Sequence, residues 1–224
     1  MNSDASYWDK DYGRRGKLWG GAVHNFPPIG LGSRVLELGC GNGKTFSTLT
    51  SRGLAATAID FSPSAALMSH RVALQAGTGA VAIADARQLP FSAGAFDAVI
   101  AVHIIGHMCE KDRERISKES LRVLREDGML WFSGFACEDL RFGKGRMVEP
   151  QTFARANGTV THYFSEQEVQ ELFYGLAPVK VTTKRWMMRV RGTDHIRAEI
   201  TGIFKKSAEN SPNWKTPAIS IGNF

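Results

Sequence analysis

Long apolar runs are missing from this 224-residue chain. Nothing approaches the roughly 18 consecutive apolar residues of a membrane helix, so no span is expected. Cysteine is scarce too: Cys40, Cys109 and Cys137 are odd in number, far apart and form no C-x-x-C pair. That pattern argues against a disulfide framework and a cysteine zinc site. The opening MNSDASYWDKDYG is polar, without the apolar stretch of a secretion signal. A reducing cytoplasm is the resulting expectation. Repeats and low-complexity tracts are absent, and the length suits one domain with a small cap.

What is present begins with VLELGCGNGKT, Val35 to Thr45. An apolar strand pattern ends in glycines at alternate positions (Gly39, Gly41, Gly43), and a helix-compatible run follows. Glycines permit a sharp turn and let backbone N–H groups approach a ligand closely. An acid, Glu37, stands at the strand's end, which suits a ligand carrying positive charge better than a phosphate. The dinucleotide fingerprint G-x-G-x-x-G needs glycine at position 44, where this chain has Lys44.

Two further strands end the same way. Ala55 to Ile59 leads into Asp60-Phe61-Ser62-Pro63, an acid about twenty residues past the glycines, placed for ribose hydroxyls. Ser62 reads as an N-cap and Pro63 as the first helical residue. Ala80 to Ala84 leads into Asp85-Ala86-Arg87-Gln88-Leu89-Pro90-Phe91. Then come Phe96-Asp97-Ala98-Val99 and Leu121 to Leu130.

This ordered series resembles the class I S-adenosylmethionine-dependent methyltransferases of the small-molecule, "type 11"-like group. Their motifs are E/D-x-G-x-G-x-G, D-A-x-x-L-P-F, F-D-x-V and R-V-L-x-P-G-G-x-L. Here Glu126-Asp127 replaces the usual proline-glycine, a change in a turn. The resemblance implies a Rossmann-like, doubly wound α/β fold. Its seven-stranded sheet has the order 3-2-1-4-5-7-6, the last strand antiparallel, with helices on both faces. It implies S-adenosyl-L-methionine as cofactor and S-adenosyl-L-homocysteine as product, with no metal. Asp85 would accept from the adenine amino group and the Ala86 N–H would meet a ring nitrogen. The residues it assigns to the cofactor are Glu37, Gly39, Cys40, Gly41, Gly43, Asp60, Phe61, Ser62, Asp85, Ala86, Arg87, Val102 and His103. Tyr7, Trp8 and Trp19 are added from a lid.

The methyltransferase domain is expected over 1–206. Within it lie an aromatic N-terminal lid segment, 1–30, and a loop cap, 137–164, too long for a plain connection. A Pro/Asn/Ser-rich tail, 207–224, is expected to be flexible. Catalytic candidates are His103 and His107, after the fourth strand, and His162 and Tyr163, which resemble an acceptor-facing element of small-molecule enzymes. The alternative for His103 and His107 is a hydrogen-bonded place in the pocket wall, and for Tyr163 a packing role. His103 and His107, four apart, could also pair on zinc, but no third ligand accompanies them.

The net charge of +6 is concentrated in 177–206, where Lys180, Lys184, Arg185, Arg189, Arg191, Arg197, Lys205 and Lys206 face two acids. This excess fits either an anionic partner or an edge strand kept soluble. The leading expectation is methyl transfer to a small-molecule acceptor, anionic acceptors included, by a monomer or homodimer. The alternative is a tRNA methyltransferase of the wobble-uridine type, toward which VHIIGHM and the basic segment point. A protein that binds S-adenosylmethionine without turnover is the third reading.

Overall fold

The computed structural model describes residues 3–16 and 26–207, with side chains from residue 7 onward. Trp19, much of the lid segment 1–30 and nearly all of the tail 207–224 lie outside the described residues. A helix, α1 (Ser3–Arg15), precedes the sheet. Its first strand, β1 (Arg34–Leu38), is buried from Val35 onward, as befits a central parallel strand covered on both faces. Then follow α2 (Lys44–Ser51), β2 (Ala55–Asp60), α3 (Pro63–Ala76), β3 (Ala80–Ile83) and β4 (Phe96–Val102). The expected cap on α3 is made: the Ser62 hydroxyl accepts from the Ala65 N–H at 3.1 Å, with Pro63 in the first turn.

A single 3₁₀ turn, Ile105–His107, leads to α4 (Glu110–Val123) and β5 (Leu124–Phe135). In the early turn of β5, Asp127 takes a left-handed conformation (φ 62) where relatives of the motif carry glycine. Its N–H donates to the Lys206 carbonyl at 3.0 Å and its carboxylate pairs with Lys205 at 2.8 Å, which offsets the strain.

The segment expected as a loop cap, 137–164, contains a small antiparallel sheet. Its strands are β6 (Arg146–Glu149), β7 (Thr152–Ala154) and β8 (Val160–His162). Turns at Gln151 (φ 56) and Gly158 (φ 88) separate strands too short to declare themselves by alternation. After α5 (Glu166–Leu172), capped by the Ser165 hydroxyl, come β9 (Ala177–Val190) and β10 (Thr193–Lys205), the expected hairpin.

The main sheet runs β3-β2-β1-β4-β5-β10-β9, with β10 antiparallel to β5 and β9 at the edge. With the cap strands set aside, this is the order 3-2-1-4-5-7-6. Neighbouring residues on a strand feed opposite faces. Val99 joins a core with Phe132, Val169 and Phe204 under α4 and α5. Ile100 joins another with Phe46, Leu49 and Trp131 under α2 and α3. The strands' C-terminal ends, β1, β2 and β4 above all, therefore open on one rim.

Candidate active site

The glycine turn after β1 sits on that rim. A side chain at Gly39 would strike the Ile104 side chain at 2.8 Å, and one at Gly41 would strike the Tyr12 hydroxyl; both glycines hold positive φ (65 and 53). Tyr12 is on α1, so the N-terminal helix lies across the loop. Asp60 braces the same loop: one oxygen accepts from the Gly41 N–H and the other from the Ser62 N–H, each at 2.9 Å. Burial raises the Asp60 pKa despite these bonds.

Glu37 is only 2% exposed, and its Oε2 is buried without a hydrogen-bond partner. Burial pushes its carboxyl well above the ordinary range, against a contact from the Thr45 side chain and with the nearby Asp60 charge adding to the rise. A buried acceptor with an unmet bond, beside a turn that excludes side chains, fits a cationic ligand end such as the ammonium of S-adenosylmethionine. Asp85 lies at the third strand's end, where its carboxylate takes a bidentate contact from Arg87 (2.9 and 2.6 Å). Burial favours a higher pKa there, but the guanidinium wins and holds it low. Arg87 also reaches Asp112 at 2.8 Å.

The lid aromatics divide their contacts. Trp8 meets the His107 ring at 4.9 Å between centroids, and the Asn157 amide donates to the Tyr7 hydroxyl at 2.8 Å. Both residues thus reach the cap side. Asp9 fastens α1 to the other wall, accepting from the Ser62 hydroxyl at 2.8 Å and the Ser64 N–H at 2.9 Å. Tyr12, one of the aromatics of the lid segment but not among the residues expected at the cofactor, is the ring on the glycine turn; its spacing from Trp8 on one helix face was the signal.

Beyond the glycine turn, Leu38 pairs with Ala101, which sets Gly39-Cys40 level with Val102-His103. His103 has a left-handed backbone (φ 57), a strained conformation for a non-glycine residue at the end of a strand. Its ring stacks on Phe135 at 4.3 Å, and the Arg141 guanidinium lies 3.8 Å from the Phe135 centroid. Its Nε2 is 3.8 Å from Glu199 Oε2, while Glu199 Oε1 accepts from the Ser133 hydroxyl. Burial first, then the positive potential of His107, Arg141, Lys44 and Arg197, lowers the His103 pKa to about 3. The imidazole is therefore neutral at physiological pH.

Asp139, 2% exposed, organises the cations here. Its oxygens accept from Arg141 Nε at 2.8 Å and Arg197 Nε at 2.6 Å. The other candidates lie against or within the cap. His107 Nδ1 is 2.8 Å from the Val160 carbonyl, which docks it on the cap. His162, 2% exposed, is held between Thr152 Oγ1 (2.7 Å) and Glu168 Oε1 (2.6 Å). Tyr163, 1% exposed, packs among Phe135, Phe142 and Phe153. Of the four, His103 follows the strand end level with the glycine turn, and His107 is near enough for its charge to help depress the His103 pKa. Among the described residues no group of three His, Cys, Asp or Glu is arranged to hold a metal, and no helix is long and apolar enough to cross a membrane.

Comparison with known proteins agrees with this fold. Residues 36–132 match the family model described as a methyltransferase domain. The Drosophila melanogaster tRNA N(3)-methylcytidine methyltransferase Mettl2 is 27% identical over 89% of this chain and 70% of its own length. The Gallus gallus tRNA N(3)-cytidine methyltransferase METTL2 is 25% identical over 76% of this chain, which spans half (50%) of that protein. Among solved structures, a Methanosarcina mazei S-adenosylmethionine-dependent methyltransferase superposes with TM-score 0.68 at 22% identity, over 80% of this chain and 94% of the other. The Burkholderia thailandensis 1,6-didemethyltoxoflavin-N1-methyltransferase, solved with S-adenosylhomocysteine bound, gives TM-score 0.61 at 18% identity, over 92% and 79%.

Proposed function

We propose that the chain is a class I S-adenosylmethionine-dependent methyltransferase that methylates a ring nitrogen of an unpaired cytosine in tRNA. The observation that carries this reading is the match to tRNA N3-methylcytidine enzymes over three-quarters or more of the chain. It favours the RNA alternative over the small-molecule acceptor that the motifs alone suggested, and a cytosine over a wobble uridine.

Bound S-adenosylmethionine supplies a methyl group made electrophilic by its sulfonium. Glu37 would take the ammonium end, Asp60 the ribose and Asp85-Ala86 the base. A cytosine N3 carries its own lone pair, so its methylation releases no proton and needs no general base. The site suits that chemistry: neutral His103 adds no third positive charge beside Arg141 and Arg197. The positive charge that arrives with the methyl must end on the base. Glu199, beside His103 and steadied by Ser133, is the carboxylate available to meet it and to accept from the adjacent exocyclic amine. Orienting the base behind the methyl supplies the larger share of catalysis, on the order of 7–11 kcal/mol for well-aligned reactants.

The test is incubation of the full chain with S-adenosylmethionine and unmodified tRNA, followed by nucleoside mass spectrometry. 3-Methylcytidine is the expected product. Methylation of small heterocycles in a metabolite extract, with none in RNA, would overturn the reading.

A further inference from the structure

The outer hairpin carries a surface that the site above leaves unused. Along β9, alternate residues Lys180, Thr182, Lys184, Trp186 and Met188 share one face of the sheet. That face continues inward: Lys184 lies opposite Glu199, which lies opposite Phe135, and Thr182 lies opposite Thr201, which lies opposite Ser133. It thus runs without interruption from the sheet edge to the rim where His103 stands. Beneath, β10 buries Ala198, Ile200 and Phe204 in the core, so the hairpin is anchored on its other side.

The chemistry of this face is specific. Lys180 and Lys184 form no ion pair with any described residue, whereas Arg185 and Arg189, on the other face, are paired with Glu138 and Asp194. Trp186 is 36% exposed. The Arg197 guanidinium lies 5.5 Å from the Trp186 ring and 5.6 Å from Phe135, bridging platform and site. Solubility of an edge strand requires charge, but not an exposed indole among the charges. Unpaired cations flanking an accessible aromatic are what a single-stranded polynucleotide binds: phosphates on the cations, a base on the ring.

We propose that this face of β9–β10 is a docking surface for the unpaired loop of an RNA stem-loop, with Lys180 and Lys184 on phosphates and Trp186 stacking a base next to the target nucleotide. The proposal rests on the RNA reading above and adds where on this chain the RNA lies.

The probe is a fluorescein-labelled RNA stem-loop with a cytosine in its loop, titrated into the full chain at several salt concentrations. Trp186→Ala is expected to weaken binding by about tenfold, within the range of one stacked base. Lys180→Ala/Lys184→Ala is expected to weaken it and to lower the slope of log affinity against log salt by roughly 0.7 per lost phosphate contact. Lys111→Ala, on α4 across the sheet, serves as control and is expected to leave both unchanged. S-adenosylhomocysteine affinity should be unaltered in every variant. If the wild type binds and methylates RNA while the hairpin variants match it, the platform is wrong and the RNA reading stands. Binding through this face without any transfer to RNA overturns the reading and leaves the platform. Failure of the wild type to bind the probe, or equal competition by polyglutamate, overturns the platform.

Discussion

The imidazole of His103 lies stacked on Phe135, ring centroids 4.3 Å apart, on a backbone twisted into the left-handed region. The pair puts a neutral, polarisable wall at the rim, with Glu199 at its edge and two guanidiniums behind.

His103 should not titrate in the physiological range. Its folded pKa is depressed to about 3, so the neutral form is the one the fold prefers. Stability linked to this group is present above the unfolded value near 6.5 and is lost as pH falls toward the folded value. The NMR signal of its ring should stay flat between roughly pH 5 and 8. A titration near pH 6.5 that disappears in His103→Gln would contradict this assignment.

Glu37→Gln should trade affinity for stability. Loss of a charged acceptor is expected to weaken S-adenosylhomocysteine binding by about 1.5–3 kcal/mol in calorimetry. The ligand-free protein should melt higher than wild type, because a buried carboxylate without a full set of partners opposes folding. The sign follows from its raised pKa: above the unfolded value near 4.3, stability falls as pH climbs toward the folded value. That decline should flatten in the variant. Unchanged affinity would remove Glu37 from the cofactor site.

Asp139→Asn should be costly. It leaves Arg141 and Arg197 without their shared buried carboxylate, and breaking a buried pair typically costs about 3–5 kcal/mol. Chemical denaturation measures this directly. A loss under about 1 kcal/mol would mean that the two guanidiniums find other partners in solution.

Gly41→Ala should abolish cofactor binding for two separable reasons. Positive φ costs an alanine about 1–2 kcal/mol, and the new methyl strikes the Tyr12 hydroxyl. Adding Tyr12→Ala should restore part of the loss, a coupling that a double-mutant cycle reads as non-additivity. Strict additivity would show that the helix does not press on the turn.

Features written in consecutive residues were legible in the sequence. The glycine turn, the Ser62-Pro63 cap and the acids closing β1, β2 and β3 are local patterns, and each formed where the pattern put it. The acceptor side was not legible, because its parts are distant. Arg197 meets Asp139 across 58 positions, and Ser133 meets Glu199 across 66, only because β10 returns antiparallel along β5. No spacing rule connects such residues. His162 and Tyr163, which their motif offered as acceptor-facing, are 2% and 1% exposed. His162 lies between Thr152 of the cap and Glu168 of α5, and Tyr163 packs on Phe142 and Phe153 of the cap and on Phe135 of β5, long-range neighbours that no local motif announces.

The N-terminal helix is fastened by Asp9 to the start of α3, by Tyr7 to the cap and by Trp8 to His107. If that helix covers the bound cofactor, it is expected to swing aside only when these latches release together. Spent cofactor would then leave at the pace of helix undocking, and faster chemistry at the rim would not by itself make a faster enzyme.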